Sequence, residues 1–263
     1  VESDLSLSRS KLDSGIGFFL GFGRGADFDE KAWTAKQTAA IDFCRESGLR
    51  QFYTPPVLGG VTHEWSFLRP VASLTLADAD SVLVLPDDFG GLDGTITLTT
   101  DGSTSFMPVP VYGVPFVYAQ YAGNTELTGR PTAVCQEPIK GSSQYHGQRW
   151  QLKFFPIADQ EYTVRLRYYL LPNGPDVNRP FPYGGGQHSE TIMASCIAAA
   201  ELYQDDQRGP RWEYFMERLT ASIAIDRRNK AQVFAYNSDN SDQPFLPIIN
   251  QQHLVTFDGV CPE

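Results

Sequence analysis

Residues 184–228, GGGQHSETIMASCIAAAELYQDDQRGPRWEYFMERLTASIAIDRR, decide the fold, because they read as two helices joined by a short polar break. Gly184, Gly185 and Gly186 end the strand-rich region before them, and Ser189 is placed to cap a helix with Glu190 in its first turn. Ile192, Cys196, Ala199 and Tyr203 recur at helical spacing, and Met193, Ile197 and Ala200 widen the stripe. Residues 205–209 form the break. Pro210 suits the first position of a second helix, where its missing N–H is no loss. Trp212, Phe215, Leu219 and Ile223 make that helix's apolar seam, with Met216 beside it. So short a connection makes the helices antiparallel neighbours. Two helices alone bury too little to offset the entropy of ordering them, so other segments must cover the pair.

The natural cover lies near the N-terminus. Asp27 or Asp29 starts a helix predicted to run to about Glu46, with Trp33, Ala40, Ile41, Phe43 and Cys44 on its buried side and Gly48 as its stop. Before it, residues 1–25 are polar and then punctuated by glycine. Gly15-x-Gly17-x-x-x-Gly21 only approximates a dinucleotide fingerprint and follows no strand, so the reading is a packed segment rather than a phosphate loop. Pro55-Pro56 is a hard break.

Between the two helical regions, residues 64–171 are strand-like. Val71, Ser73 and Thr75 alternate with Ala72, Leu74 and Leu76, and residues 82–85 are a short apolar run. Thr95, Thr97 and Thr99 alternate with Ile96 and Leu98, and Asp101-Gly102 predicts a hairpin turn returning through residues 106–111. Residues 132–136, 149–155 and 162–170 supply further strands, a spacing that suits a sandwich or an open barrel. The predicted class is therefore α+β. N- and C-terminal segments (1–58 and 187–230) form a discontinuous helical bundle, and residues 59–186 an inserted antiparallel β domain. Residues 231–263 carry no helical stripe yet include Phe234, Tyr236, Phe245, Ile248, Ile249, Leu254 and Phe257, too apolar for a free disordered tail. They read as an extended arm ordered by another subunit, with a reach of roughly 100 Å.

Composition narrows the function. A net charge of −10 over 263 residues argues against a nucleic-acid binder that neutralises phosphates, but suits a wall that DNA slides past. The four cysteines (Cys44, Cys135, Cys196, Cys261) are far apart and read as buried reduced thiols. No segment approaches a membrane span of about 20 apolar residues, and residues 15–23 make no convincing signal peptide, so cytoplasmic synthesis is expected.

Candidate chemistry is sparse. His63, His146, His188 and His253 form no metalloprotease spacing, and no cysteine pair has zinc spacing, so neither a metal nor a cofactor is expected. His188, at a helix start, has an anion-binding reading, with a cap or subunit contact preferred. Asp78, Asp80, Asp87 and Asp88, like Asp239 and Asp242, lack a calcium-loop spacing and read as solvated turns. No nucleophile elbow occurs, and no catalytic residue is assigned. Arg227, Arg228 and Lys230 are the dense basic patch. They complement the helix C-terminal dipole, and their position where helix passes into arm points to contact with an acidic partner. The candidate portal- and subunit-contact set is thus Arg227, Arg228, Lys230, Phe234, Tyr236, Phe245, Ile248, Leu254 and Phe257.

Several stretches, in order, resemble the head-to-tail adaptor (connector) proteins of tailed bacteriophages, especially the tail tubular protein A class. They are Gly48-Leu-Arg-Gln-Phe-Tyr-Thr-Pro-Pro56, Trp65-Ser-Phe-Leu68, Leu85-Pro-Asp-Asp-Phe89, Thr128-Gly-Arg-Pro131, Trp150-Gln-Leu-Lys-Phe-Phe-Pro156 and Tyr162-Thr-Val-Arg-Leu-Arg-Tyr-Tyr169. The last is the Gly184–Gly186 run with His188-Ser189-Glu190 opening an alanine-rich helix. The resemblance implies a non-enzymatic virion protein at the head–tail junction, a homo-oligomeric ring, usually a dodecamer. Such a ring docks on the portal protein, receives the tail nozzle, tube or fibre proteins, and leaves a channel through which genomic DNA passes without sequence-specific binding or membrane contact. It also implies a helical core with an inserted β domain and C-terminal segments that reach the portal. Two other readings stand beside it: a virion-associated wall-degrading hydrolase using carboxylates of the β region, and a carbohydrate- or receptor-binding module.

Overall fold

The computed structural model of the chain describes residues 3–57, 62–100, 105–139 and 148–229. These belong to one compact unit, Val1–Lys230. The expected hairpin turn at Asp101-Gly102, His146 and the arm 231–263 lie outside the described residues.

Among the described residues, five α-helices and eight strands follow in the order α1 (Arg9–Phe19), α2 (Ala35–Tyr53), β1 (Val71–Leu76), β2 (Val82–Val84), β3 (Phe89–Leu92), β4 (Ile96–Thr100), β5 (Met107–Val109), α3 (Val114–Gly123), β6 (Ala133–Pro138), β7 (Trp150–Phe155), β8 (Tyr162–Leu170), α4 (Gly185–Asp205) and α5 (Pro210–Asn229). Every named strand pair is antiparallel. One sheet runs β1-β8-β4-β5, with β3 pairing the far end of β8, and a second runs β2-β7-β6. Leu76, Ile96, Leu98 and Val164 of the first sheet meet Val134, Leu152 and Phe154 of the second in one apolar cluster. The sheets thus face each other as open layers; they do not close into a barrel. Strand β8 shows the cause: Tyr162, Val164, Leu166 and Tyr168 point inward and Arg165 and Arg167 outward, the two-residue period of a half-buried strand.

Helices α1, α2, α4 and α5 share a second cluster. Leu12 and Ile16 of α1, Ile41, Leu49 and Phe52 of α2, Ile192 of α4, and Phe215 and Leu219 of α5 are buried together. Trp65 and Leu68, from the link between α2 and β1, join this cluster rather than the sheets. Trp65 is fixed there by its indole N–H, which donates to the Phe52 carbonyl at 2.8 Å.

Several expectations are corrected. Residues 9–19 are a helix: Ser8 caps it by accepting from the Lys11 amide at 3.4 Å, and its glycines are packing devices. A Cβ on Gly15 would lie 2.9 Å from the Met193 sulfur, and one on Gly17 2.7 Å from the Trp33 ring. Helix α2 starts not at Asp27 or Asp29 but after Thr34, which forms a reciprocal capping box with Gln37. Trp33 therefore precedes the helix instead of lining it. Gly48 is no stop, since α2 continues to Tyr53, and Phe43 and Tyr203 face solvent, not the core. Ser189 is no N-cap: α4 begins four residues earlier, after Gly184 in the left-handed region (φ 109°), and Ser189 donates back to the Gly185 carbonyl at 3.1 Å. The strand-like stretch also contains β3 and the helix α3, neither of which the alternation pattern announces.

The predicted seam of α5 holds, with Phe215, Leu219 and Ile223 buried. Its N-terminus is closed by Glu201 of α4, whose carboxylate accepts from the amides of Gly209 (3.0 Å), Arg211 (3.2 Å) and Trp212 (3.3 Å). An anion on the exposed N–H groups of a helix start satisfies donors that have no partner within the helix. Cys44, Cys135 and Cys196 are buried free thiols.

Candidate interaction surface

Near its C-terminal end α5 carries a buried polar cluster. Asp226, about 1% exposed, accepts from the Ser66 hydroxyl at 2.5 Å and the Ser66 amide at 3.2 Å, and its other oxygen lies 3.0 Å from His63 Nε2. Serine, histidine and aspartate meet here in an order that does not activate the serine. The hydroxyl proton points at the carboxylate, and the carboxylate stands where a catalytic imidazole would have to be. The cluster is a clasp between α5 and residues 63–66.

His188 packs beside it, edge-on to Trp65 at 5.2 Å and near Phe67 at 5.3 Å. Burial lowers its pKa, Asp226 pulls upward and His63 downward, so the ring is held neutral. The anion-site and subunit-contact readings of His188 both give way to a core role, because the side chain is about 2% exposed.

Several other charged groups are similarly engaged. The Arg45 guanidinium contacts Asp13 and lies 2.6 Å from Asp42. Burial works against its charge, and the two carboxylates overcome that and raise its pKa. Asp87 pairs with Arg149 at 3.0 Å, and Asp88 accepts from the Tyr168 hydroxyl at 3.1 Å. Burial and that carboxylate push Tyr168 up to about 12. Among the described residues no group of three or more His, Cys, Asp or Glu side chains could hold a metal ion. A shallow cleft of about 180 Å³ lies by Arg24, Asp27, Trp33 and Thr38, and its Ser10 hydroxyl already donates to Asp27 at 2.5 Å. No described helix is long and apolar enough to cross a membrane.

Arg227 and Arg228 are exposed on the last turn of α5 and pair with no carboxylate among the described residues. Lys230, Phe234, Tyr236, Phe245, Ile248, Leu254 and Phe257 lie outside the described residues. The predicted contact set is therefore visible at its first two members only.

The surface that sequence reasoning missed is α3. Its ten residues carry no charge, yet only Val117 is buried, with Val114, Gln120 and Tyr121 half-buried. Pro115, Ala119 and Ala122 face solvent, flanked by Phe116 (44% exposed) and Tyr118 (45%). Tyr112 stacks on Phe116 with ring centroids 4.4 Å apart and extends the apolar strip toward Val111. Polar anchors fix one side. Tyr118 donates to Glu137 at 2.9 Å, Gln151 donates to the other Glu137 oxygen at 2.6 Å, and the Lys153 ammonium sits 4.3 Å from the centre of the Tyr118 ring. The available signal was Val114, Val117 and Tyr121 at three- and four-residue spacing behind Gly113, obscured by the strand pattern just before it. Contiguous apolar strips turned toward water mark contact sites.

Comparison with protein-family models and with curated proteins gives no match to this chain.

Proposed function

We propose that this chain is a structural virion protein, the subunit of a ring-shaped head-to-tail adaptor. The ring docks on the portal, receives the tail and surrounds the channel through which the genome leaves. The observation that carries the reading is the uncharged, outward-facing side of α3. A monomer gains nothing by exposing its most apolar helix, whereas a ring subunit covers such a surface on assembly. The ordered stretches that resemble adaptor proteins supply the kind of assembly. In this reading the clustered helices are the core built from both ends of the chain, and residues 59–186 are the inserted β domain. Residues 231–263 are the arm that reaches the portal, with Arg227, Arg228 and Lys230 at its root. The net charge of −10 suits a passage that DNA must not adhere to.

The test is electron microscopy and co-sedimentation of the full chain with portal rings. A chain lacking residues 231–263 is expected to fold, with an unchanged far-ultraviolet spectrum, and to lose portal binding. Unchanged co-sedimentation of that truncated chain would overturn the arm assignment, and no binding by the full chain to any portal tried would overturn the adaptor reading.

The stacked pair Tyr112–Phe116, exposed along one flank of α3, favours a second reading, a glycan-binding platform. Binding on a glycan array, lost in Phe116→Ala, would support it over the first.

A further inference from the structure

We infer that the α3 strip is a contact between copies of this chain, and that its occupant is the α2–α4 face of the next copy around Phe43 and Tyr203. The inference deepens the ring reading and rests on it for the closure of the assembly.

Three observations point to this pairing. The first is area. Aromatic side chains carry roughly 150–250 Å² each, so Val111, Tyr112, Phe116 and Tyr118 at their observed exposures present roughly 300 Å². A stable pairwise interface needs about 800 Å² from each partner. Two α3 strips packed face to face would fall well short of a stable dimer, and one α3 strip on any other patch is no larger, so the contact holds where a closed ring gives each subunit two of them.

The second is that such a ring needs two unlike, complementary patches on one subunit. The same unit supplies the other patch. Phe43 of α2 and Tyr203 of α4 are 54% and 48% exposed, and their rings touch across the helix pair at 5.7 Å, with Leu202 exposed beside them.

The third is charge. Lys153 rims the α3 strip, close to both Tyr118 and Tyr121. Asp205 and Asp206, just after Tyr203, are exposed at the other patch, where Arg50 is paired with Glu46 at 3.9 Å and Arg208 is occupied over the Trp212 ring. Opposite rims fix the register of apolar patches that are themselves unspecific.

The experiment replaces Phe116 with the photo-crosslinking residue p-benzoylphenylalanine in the full chain. This protein is mixed with an equal amount of uniformly ¹⁵N-labelled wild-type chain, with and without portal rings, and irradiated. Crosslinked peptides are then mapped by mass spectrometry. The expected result is a light-to-heavy crosslink from residue 116 to the peptides holding Phe43 or Tyr203, reduced at least fivefold when the labelled chain carries Tyr203→Glu. Tyr203 is a surface residue, so that variant is expected to fold, which circular dichroism checks. Crosslinks confined to the α3 peptide, to residues 231–263 or to the same chain would overturn the inference, as would no crosslink between copies. Co-sedimentation with portal in the same samples separates the two claims. Portal binding without the expected crosslink sinks this pairing alone, and the crosslink without portal binding sinks the adaptor reading alone.

Discussion

Gly48 of α2 and Cys196 of α4 cross backbone to backbone: a Cβ on Gly48 would lie 2.7 Å from the Cys196 amide nitrogen. The same crossing is tied by the Ser195 hydroxyl, which donates to the Gly48 carbonyl at 2.6 Å. A glycine that resembles a helix stop is thus the place where two helices meet most closely. Gly48→Ala must push them apart, and overpacking of this kind costs about 1–3 kcal/mol. For a unit of this size each kcal/mol lowers Tm by about 2–4 °C. Differential scanning calorimetry is expected to show that fall, while Gly123→Ala, where no atom lies within 4 Å, is expected to be neutral or slightly stabilising. Equal Tm values for both variants would refute the close crossing.

The clasp at Asp226 makes a second prediction. Removing the buried Asp226 carboxylate strands the Ser66 hydroxyl and amide that donate to it and the His63 ring beside it, and costs about 3–5 kcal/mol. Asp226→Ala is expected to destabilise by that much in urea unfolding, and Ser66→Ala by about 1–2 kcal/mol. A smaller loss for Asp226→Ala than for Ser66→Ala would contradict the geometry.

Glu201 makes a third. Its carboxylate serves three amides at the start of α5, so Glu201→Gln is expected to cost about 1–2 kcal/mol and Glu201→Ala more. Gly209→Ala tests the same site from the other side, because its new Cβ would sit 2.7 Å from the Glu201 oxygen. Amide exchange at Arg211 and Trp212 should quicken in all three variants.

His188 gives a pH dependence. Burial holds its folded pKa below the ordinary 6.5, so below that pH the unfolded chain takes up the proton first. The stability it contributes is complete above pH 6.5 and is lost as pH falls toward the folded value. Unfolding free energies at pH 7.5 and 5.5 should differ less in His188→Phe than in the wild type. An unchanged difference would place the titration elsewhere.

Thiol chemistry supplies a last check. Burial pushes Cys44 up to about 11 and Cys196 up to about 12, and raises Cys135. In a Cys261→Ser background these three thiols should react with a disulfide reagent only after denaturant is added.

The helical hairpin and most strands were legible because their signals are local: a proline at a helix start, an apolar seam at 3.6-residue spacing, a two-residue alternation in β8. What was not legible depends on partners far away in sequence. Gly15 and Gly17 look like helix breakers until Met193 and Trp33 arrive against them. Phe43 and Tyr203 fall on apolar stripes yet face water, since hydropathy cannot tell a core position from an exposed one. Asp226 carries no spacing signature at all; its partners His63 and Ser66 stand some 160 residues earlier. The α3 surface failed for another reason: ten uncharged residues suit a buried strand as readily as an exposed helix.

The clasp at Asp226 has a mechanical consequence. Tension applied to the chain beyond Asn229 reaches a carboxylate already fastened to a segment near the front of the polypeptide, just three residues before the helix ends. The last turn can peel only as far as that anchor, and any further load must shear α5 sideways off its neighbours rather than unzip it. A chain end restrained in this way can be hauled upon without unravelling the body that holds it.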